Sequence, residues 1–345
     1  MDKKERFFRT LNREETDKPA WWLGMPTAEA IPSLYKYFGV KDFKGLKSAV
    51  DDDIWTVDMP YENGTTNAVY MAFDFAKGNQ SLSPSERTLT TPGFFEDYED
   101  EEDFEKFDRW PDPEKYIKRE TCEALLNDAP ADMPIMAVIW SAHFQDACSA
   151  FGMEDALVKM KIAPELFRKV IDRITDFYLR ANEIFYEYTK GKIDCVLIGN
   201  DFGTQTGLIA SPDDLREFVF PGTKKLIAQA HSYGLKVVHH SCGAIYDVIP
   251  DLIECGADAI HPIQALARGM EPQRLKTEFG DKVTFVGGVD AQNLLVRGNA
   301  DDVRLKVEEL RDIFSTGLII SPSHEAILPD ISPENILAIA DAMRN

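Results

Sequence analysis

Residues 236–262 read KVVHHSCGAIYDVIPDLIECGADAIHP, and this stretch decides how the chain is expected to fold. An apolar run over 235–241 is typical of a β-strand, and a second apolar run covers 257–263. A glycine and a helical pattern lie between the two runs. A strand, a helix and a strand in this order predict two parallel strands joined by a crossover helix.

The same alternation of apolar runs and helical patterns extends along most of the chain. Two long helical patterns cover 164–190 and 211–234. The strands are almost continuously apolar, as strands buried on both faces are. The eight predicted strands are 18–25, 53–59, 134–140, 193–198, 235–241, 257–263, 282–288 and 316–323.

Eight parallel strands in a chain of 345 residues predict a (β/α)₈ barrel of the TIM type. An open, doubly wound sheet is the alternative, but no Gly-x-Gly-x-x-Gly turn follows any predicted strand. We expect residues 1–345 to form a single barrel domain, with 60–98 as a β-hairpin insertion over one end.

Composition excludes several classes of partner. The formal net charge is −21, which disfavours nucleic acid and anionic membranes because phosphate binding needs clustered cations. No run of eighteen apolar residues suggests a membrane span, and the charged amino terminus does not resemble a secretory signal. The five cysteines are widely scattered, without the spacing of a disulfide framework. These features predict a cytoplasmic protein.

A metal site is predicted at the end of the strand over 235–241. Side chains two residues apart share one face of a strand, so His240 and Cys242 point together and His239 points away. An imidazole and a thiolate form half of a zinc site. His324 after the last strand is the third candidate ligand, and Glu325 beside it is a fourth. The alternative is that these are buried, hydrogen-bonded residues without a ligand.

Polar side chains also follow the ends of other predicted strands. Polar groups that converge on one end of an apolar barrel are typical of a small-molecule site. Asp201 and Asp290 are the stronger catalytic candidates, and His143 is an alternative acid or base. The candidate substrate-binding residues are Trp140, Asn200, Gln205, His261 and Gln264.

Several of these stretches resemble one known group of proteins, the uroporphyrinogen decarboxylase superfamily, which includes cobalamin-dependent methyltransferases. The resemblance implies a distorted barrel with its site in the cleft at the carboxyl ends of the strands. A homodimer is common in the superfamily. The matching stretches are ERFFRTLNREETDKPA (5–20), GNDFGTQTGLIASPDDLREFVFPGTKKL (199–226), VVHHSCGAIYDVIPDLIECGADAIHPIQ (237–264), FVGGVDAQ (285–292) and SPSHEAILPDISPENILAIADA (321–342).

Two branches of the superfamily can be compared with this sequence. The decarboxylases hold a porphyrinogen with eight carboxylates through an arginine-rich loop. The corresponding stretch here is WWLGMPTAEAIPSLY, and no arginine occurs between Arg13 and Arg87. The methyltransferases bind zinc through a His-x-Cys pair, which His240 and Cys242 match. Their third ligand is a cysteine, and here His324 takes that position.

The resemblance therefore implies a zinc-dependent methyltransferase. It would move a methyl group between a small donor or acceptor and a corrinoid carried on a partner protein. Zinc would bind a substrate thiol as thiolate or polarise an ether or amine. The segment 60–98 is a candidate docking surface for the corrinoid protein. Two alternatives stay open: a metal-free decarboxylase or lyase acting on a less anionic substrate, and a non-catalytic barrel that binds a ligand or a corrinoid.

Overall fold

The computed structural model describes residues 1–64, 68–77, 88 and 90–344. The ten strands are β1 (Ala20–Trp21), β2 (Met25–Pro26), β3 (Trp55–Asp58), β4 (Ile135–Trp140), β5 (Cys195–Gly199), β6 (Lys236–His240), β7 (Ala259–Ile263), β8 (Thr284–Val289), β9 (Leu318–Pro322) and β10 (Ala326–Ile327). The helices before β5 are α1 (Lys3–Leu11), α2 (Ile31–Phe38), α3 (Phe43–Ala49), α4 (Pro113–Tyr116), α5 (Arg119–Ala124), α6 (His143–Phe151), α7 (Met153–Ile162) and α8 (Pro164–Thr189). The helices after β5 are α9 (Pro212–Asp214), α10 (Phe220–Ser232), α11 (Ile249–Cys255), α12 (Pro272–Phe279), α13 (Leu294–Arg297), α14 (Ala300–Ile313) and α15 (Pro333–Arg344).

Eight of these strands form one parallel sheet, in the order β1-β9-β8-β7-β6-β5-β4-β3. The prediction of eight parallel strands is confirmed, and each predicted run overlaps an observed strand of this sheet. Strands that follow one another in sequence also lie side by side from β3 to β9. A doubly wound sheet would reverse its direction of growth in the middle. The alternative of an open doubly wound sheet is therefore wrong, and the fold is of the TIM type.

The barrel is distorted where β1 and β3 meet, because no strand ladder joins them in the described residues. Two adjacent carboxylates take the place of that ladder. Asp53 accepts a hydrogen bond from the backbone N–H of Trp21 at 2.9 Å, and Asp52 accepts one from that of Leu23 at 2.9 Å. The backbone N–H of Asp53 donates to the carbonyl of Trp21 at 3.0 Å. We call this junction the seam.

Each seam carboxylate has a cation from a neighbouring helix. Arg6 on α1 lies 2.6 Å from Asp53, and Lys47 on α3 lies 2.6 Å from Asp52. The side chains of Lys47 and Asp52 are almost fully buried, at 1% and 0% exposed. A buried charge is tolerated only when it is paired and hydrogen-bonded. The two ion pairs therefore offset part of the cost of burying the seam carboxylates.

The helical predictions agree with the structure. The pattern over 164–190 is the single helix α8, and the pattern over 211–234 contains α9, a wider helical turn at Leu215–Val219 and α10. The predicted insertion over 60–98 falls partly on 65–67, 78–87 and 89, which lie outside the described residues. Its described part contains a single 3₁₀ turn, Val69–Met71, and isolated antiparallel bridges at Pro60–Ala68 and Ala76–Gly93. The hairpin insertion stays a prediction. None of the described helices combines the length and the apolarity needed to cross a membrane.

Candidate metal and substrate site

The site is built where the loops after β5 and β6 touch. Gly199 at the end of β5 pairs with His240, and a Cβ there would lie 2.1 Å from the His240 carbonyl oxygen. Further on, a Cβ on Gly243 (φ +85°) would meet the backbone of Gly203 at 2.5 Å. Glycine at these positions allows the two loops to approach closely. The loop after β5 thus meets the loop that carries Cys242.

Three potential ligand atoms converge at this contact. The Nε2 atom of His240 lies 3.4 Å from the Sγ atom of Cys242 and 3.2 Å from the Oδ1 atom of Asp201. The same Asp201 oxygen accepts a hydrogen bond from the backbone N–H of Cys242 at 2.9 Å. The ligand atoms of these three residues all lie within 4.8 Å of one another. The structure therefore brings together His240 and Cys242, which were predicted to share one face of the strand. Asp201 is a third member of this group.

The other nitrogen of His240 faces a second group of side chains. Its Nδ1 lies 2.8 Å from the Nδ1 of His261 and 3.5 Å from a carboxylate oxygen of Glu325. His261 is fully buried, and its Nε2 has no hydrogen-bond partner in the described residues. His261 thus contacts His240 from behind and does not line the cavity described below. A histidine that binds a metal through one nitrogen usually has its other nitrogen held in this way.

His324 reaches the same thiol from the far end of the chain. Its Nδ1 accepts a hydrogen bond from the backbone N–H of Ala326 at 3.0 Å, and its side chain hydrogen-bonds Cys242. The His324 and His240 rings lie 6.3 Å apart between centroids. His324 is therefore next to Cys242 but outside the tight group in which Asp201 lies.

Electrostatics inside the site favour charged forms. Burial by itself would lower the pKa of His240, but the carboxylates of Glu325 and Asp201 raise that pKa well above its usual range. Burial would raise the pKa of Asp201, but the hydrogen bond from His240 and its charge lower it to about 2. Asp201 is thus ionised at neutral pH and suited to accept hydrogen bonds or coordinate a cation.

Cys242 differs from the other four cysteines. Burial raises the pKa of Cys122 and Cys148 to about 12, that of Cys255 to about 11, and that of Cys195 well above its usual range. At Cys242 the effect of burial is outweighed by hydrogen bonds from the two neighbouring histidines, which lower its pKa. The thiolate is the form that binds metals. Cys242 alone among the five has the environment of a ligand.

A cavity of about 410 Å³ opens in front of this group. Trp140 forms one wall, with its ring 5.1 Å from that of His240 and 6.5 Å from that of Tyr70, both edge-on. Trp140 and Ser141 both have positive φ, at 51° and 53°, so the chain turns sharply at the end of β4. The lining residues are Tyr70, Trp140, Ala142, Gln145, Asp146, Ser149, Asp201, His240, His324 and Glu325.

His143 and Asn200 lie behind the cavity and are absent from its described lining. The Nε2 of His143 is 3.1 Å from the carbonyl of Val219, and its Nδ1 is 3.3 Å from the side-chain amide nitrogen of Asn200. Burial lowers the pKa of His143. The amide oxygen of Asn200 accepts from the backbone N–H of Phe144 at 2.8 Å. Both residues hold the start of α6 in place, so the geometry gives His143 no direct access to a substrate in this cavity.

The remaining candidates also make structural contacts. Asp290 accepts hydrogen bonds from the backbone N–H groups of Gln292, Asn293 and Leu294 at 2.9 to 3.1 Å, as a residue that caps a helix does. Gln264 is buried and accepts from the backbone N–H of Gly243 at 2.7 Å. Gln205 is exposed on the loop after β5. Among these three, none lines the described cavity.

Sequence reasoning missed Asp146 and Tyr178. The hydroxyl of Tyr178 donates to Asp146 at 2.5 Å, and the amide of Gln145 donates to Asp201 at 3.4 Å. Burial raises the pKa of Asp146 to about 7. In the sequence, the one sign that Asp146 could belong to the site was its position on the helix that follows the strand ending at Trp140. The conformation of the turn between strand and helix decides which face of that helix meets the cavity, and the sequence does not show it.

The donor set fits zinc. The thiol of Cys242, with a lowered pKa, the imidazole of His240 and the ionised carboxylate of Asp201 meet beside the cavity, with His324 next to the thiol, and zinc prefers a mixture of sulfur, nitrogen and oxygen ligands. The buried Oε2 of Glu325 has no hydrogen-bond partner among the described residues and lies 3.5 Å from the Nδ1 atoms of His240 and His324. A carboxylate at that distance interacts with both rings through its charge.

Comparison with known proteins agrees with this geometry. Residues 2–345 match the family described as "Uroporphyrinogen decarboxylase (URO-D)". A uroporphyrinogen decarboxylase from Syntrophotalea carbinolica is 25% identical over 188 residues, which cover 52% of this chain and 49% of that protein. The methylcobamide:CoM methyltransferase MtaA of Methanosarcina barkeri is 23% identical over 226 residues, or 63% of each chain.

The matches to these two relatives thus span about half and less than two thirds of their lengths. A solved structure of a methyltransferase from Methanosarcina mazei superposes with a TM-score of 0.69 at 19% identity, covering 100% of this chain and 98% of that one. At this identity the superposition establishes a shared fold. The relatives include both decarboxylases and methyltransferases, and the chain belongs to the uroporphyrinogen decarboxylase family.

Proposed function

We propose that this protein is a zinc-dependent methyltransferase that moves a methyl group between a small substrate and a corrinoid carried on a partner protein. One observation carries the proposal: the Nε2 of His240, which lines the cavity, lies 3.4 Å from the Sγ of Cys242, and the side chain of His324, which also lines the cavity, interacts with the same thiol. His240, Cys242 and His324 are the proposed ligands, which leaves the fourth zinc position for substrate.

Zinc bound there would hold a substrate thiol as thiolate, or polarise an ether or amine, for methyl exchange with the corrinoid. The residues of the chain prepare that position. Asp201 accepts from the backbone N–H of Cys242 and so orients the loop that carries the thiol. Glu325 and His261 face the Nδ1 of His240, which leaves Nε2 directed at the ligand group.

The relatives support methyl transfer without deciding it. The relative from Methanosarcina barkeri is named as a methylcobamide:CoM methyltransferase, whereas that from Syntrophotalea carbinolica is named as a uroporphyrinogen decarboxylase. A porphyrinogen with eight carboxylates would meet unfavourable charge in this cavity, since three carboxylates and no Lys or Arg occur among its described lining residues. The negative charge of the cavity lining thus favours a methyltransferase over a uroporphyrinogen decarboxylase.

The first test is the zinc content of protein purified without chelators or a histidine tag. We expect near-stoichiometric zinc in the wild type and loss of most of it in Cys242→Ser, because a hydroxyl is a poor zinc ligand. Cys255→Ser is the matched control, since that thiol is buried beside the carbonyl of Phe220 and contacts no candidate ligand. Wild-type protein that takes up no zinc even when supplied with it would favour the metal-free decarboxylase.

The second test is methyl transfer with free methylcobalamin as a surrogate for the corrinoid protein, followed by the change in cobalamin absorbance. Zinc-loaded wild type should transfer the methyl group to a small thiol, and Cys242→Ser should lose roughly a hundredfold or more in rate. Equal rates in the two proteins would remove Cys242 from the reaction. Asp201→Asn should retain zinc but react more slowly, because its neutral amide no longer orients the Cys242 loop as well.

A further inference from the structure

Asp146 is a carboxylate in the cavity without a counter-ion. Among the described residues, its side-chain hydrogen-bond partner is the hydroxyl of Tyr178, which donates at 2.5 Å. In the part of the chain that the structure describes, no Lys, Arg or His lies within ion-pair distance of it. Four other shielded acids among the described residues each have a Lys or Arg partner: Asp52 has Lys47, Asp53 has Arg6, Asp214 has Lys161 and Asp258 has Lys236.

The rest of the cavity does not supply the missing cation. Its described lining contains no Lys or Arg, and its two histidines already face other carboxylates. His240 lies 3.2 Å from Asp201 and 3.5 Å from Glu325. A zinc ion held by the Cys242 thiolate would keep one net positive charge, which these two carboxylates more than offset. The charge on Asp146 remains uncompensated with or without the metal.

The wall near Asp146 is aromatic. Trp140 and Tyr70 line the same cavity, with their rings edge-on to each other at 6.5 Å. Trp140 adopts a backbone conformation that is unusual for a bulky residue, with φ at 51°. Aromatic faces beside a carboxylate are the surroundings in which proteins bind ammonium groups, since the ring quadrupole and the carboxylate both attract positive charge.

We propose that the substrate of this cavity carries a positively charged nitrogen, as a methylated or protonated amine, which binds between Asp146 and the rings of Trp140 and Tyr70. The other end of the substrate, with its reacting sulfur, oxygen or nitrogen, then lies against His240 and Cys242. Only this second part rests on the proposed function. Binding of the cation needs neither zinc nor a corrinoid.

The raised pKa of Asp146, about 7, agrees with this assignment. Burial without a counter-ion destabilises the carboxylate, and a cation that binds beside it would restore the ionised form. An anionic substrate would have the opposite effect and would bind poorly. A substrate that carries a sulfonate or several carboxylates is therefore a poor fit for this cavity.

The test compares three ligands of the same shape: choline, its neutral isostere 3,3-dimethyl-1-butanol, and the anionic 3,3-dimethylbutanoate. Binding to the full chain is measured by isothermal titration calorimetry, with the intrinsic tryptophan fluorescence of the protein as a second readout. We expect choline to bind roughly tenfold or more tightly than the neutral isostere, and the anion to bind most weakly. A neutral isostere that binds as well as choline, or choline that does not bind, would overturn the proposal.

Two variants test whether Asp146 is the source of the preference for choline over its neutral isostere. Asp146→Asn should reduce the preference for choline over its isostere to about twofold or less, because it removes the charge and keeps the shape. Glu154→Gln is the matched control: it changes the net charge by the same amount on an exposed position of α7 and should leave the preference intact. An Asp146→Asn protein with undiminished preference would also overturn the proposal.

Cys242→Ser separates this inference from the proposed function. Its preference for choline should match that of the wild type even when zinc and methyl transfer are lost. If the wild type binds zinc and transfers methyl groups but shows no preference for the cation, the proposed function stands and this inference fails. If the preference for choline is present and zinc is absent, the cation site stands and the methyltransferase proposal fails.

Discussion

At the scale of single residues, the site depends on side chains that change each other's ionisation. Asp201 and His240 stabilise each other's charged forms, and the histidines beside Cys242 lower the pKa of its thiol. Asp146 is the exception, because burial raises its pKa from 3.8 to about 7 and no cation opposes the effect. The ionisation of Asp146 should therefore have a measurable effect on how the stability of the protein depends on pH.

Asp146 should make the protein less stable as pH rises from about 4 to about 7. In that window the folded protein still binds the proton that the unfolded chain has released, so the free energy of unfolding decreases until the folded carboxyl also ionises. Asp146→Asn should remove this component, and its stability relative to wild type should increase by on the order of 1–2 kcal/mol between pH 5 and pH 8, after allowance for solvent screening.

Urea denaturation of the wild type, Asp146→Asn and Glu154→Gln at those two pH values measures the effect. Other titrating groups change the free energy of unfolding of all three proteins alike. The difference in that free energy between a variant and the wild type therefore reports on the substituted residue alone. A difference that is the same at both pH values would show that Asp146 ionises normally in the folded protein.

At the scale of elements, the helix α3 is attached to the seam through one buried ion pair. The ammonium of Lys47 lies 2.6 Å from Asp52 and 2.9 Å from the carbonyl of Ile54, which leads into β3. The carboxylate of Asp52 in turn accepts from the backbone N–H groups of Leu23 and Ile54 at 2.9 Å. One helix, the chain after β1 and the start of β3 are thus connected through two side chains.

Lys47→Met should destabilise the protein by roughly 3–5 kcal/mol, because it leaves Asp52 buried without a counter-ion. Lys44→Met on the same helix is the control, since Lys44 is exposed and its loss should cost less than about 0.5 kcal/mol. Chemical denaturation of both variants gives the comparison. Equal effects of the two substitutions would mean that the seam does not need its cation.

At the scale of the whole molecule, the barrel is closed by side chains in one place and by strand ladders elsewhere. The ladders from β3 through β9 to β1 pair backbone with backbone, whereas the seam relies on Asp52, Asp53 and their cations. Arg6 reaches Asp53 at 2.6 Å and Asp17 at 2.9 Å, so it also fastens the amino-terminal helix to the seam. A barrel closed in this way should open first at the seam.

Arg6→Met should therefore accelerate amide hydrogen exchange locally. We expect exchange at the seam residues Trp21 and Asp53 to rise by on the order of tenfold or more, while the central strand β6 changes much less. Arg9→Met, on the same helix but half exposed, should leave both regions near wild type. A uniform acceleration over the barrel would show that the seam unfolds together with the rest of the molecule.

The amino-acid sequence by itself determined the strands and the pairing of His240 with Cys242. Strands buried on both faces are apolar along most of their length, so strands such as β5 and β8 can be read from composition. The alternation of side chains along a strand put His240 and Cys242 on one side and His239 on the other, and the structure has His239 stacked on Phe202, away from the site.

Only the tertiary structure decided which other residues join the site and how the barrel closes. Asp146 and Tyr178 come from parts of the chain distant from His240, and no local periodicity relates them to it. His143 follows a strand end just as Asp201 does, yet the positive φ angles at the end of β4 turn it into the interior. Periodicity describes which face of one element is apolar; the side chains that share a cavity depend on turns and on contacts between elements, which a linear pattern does not contain.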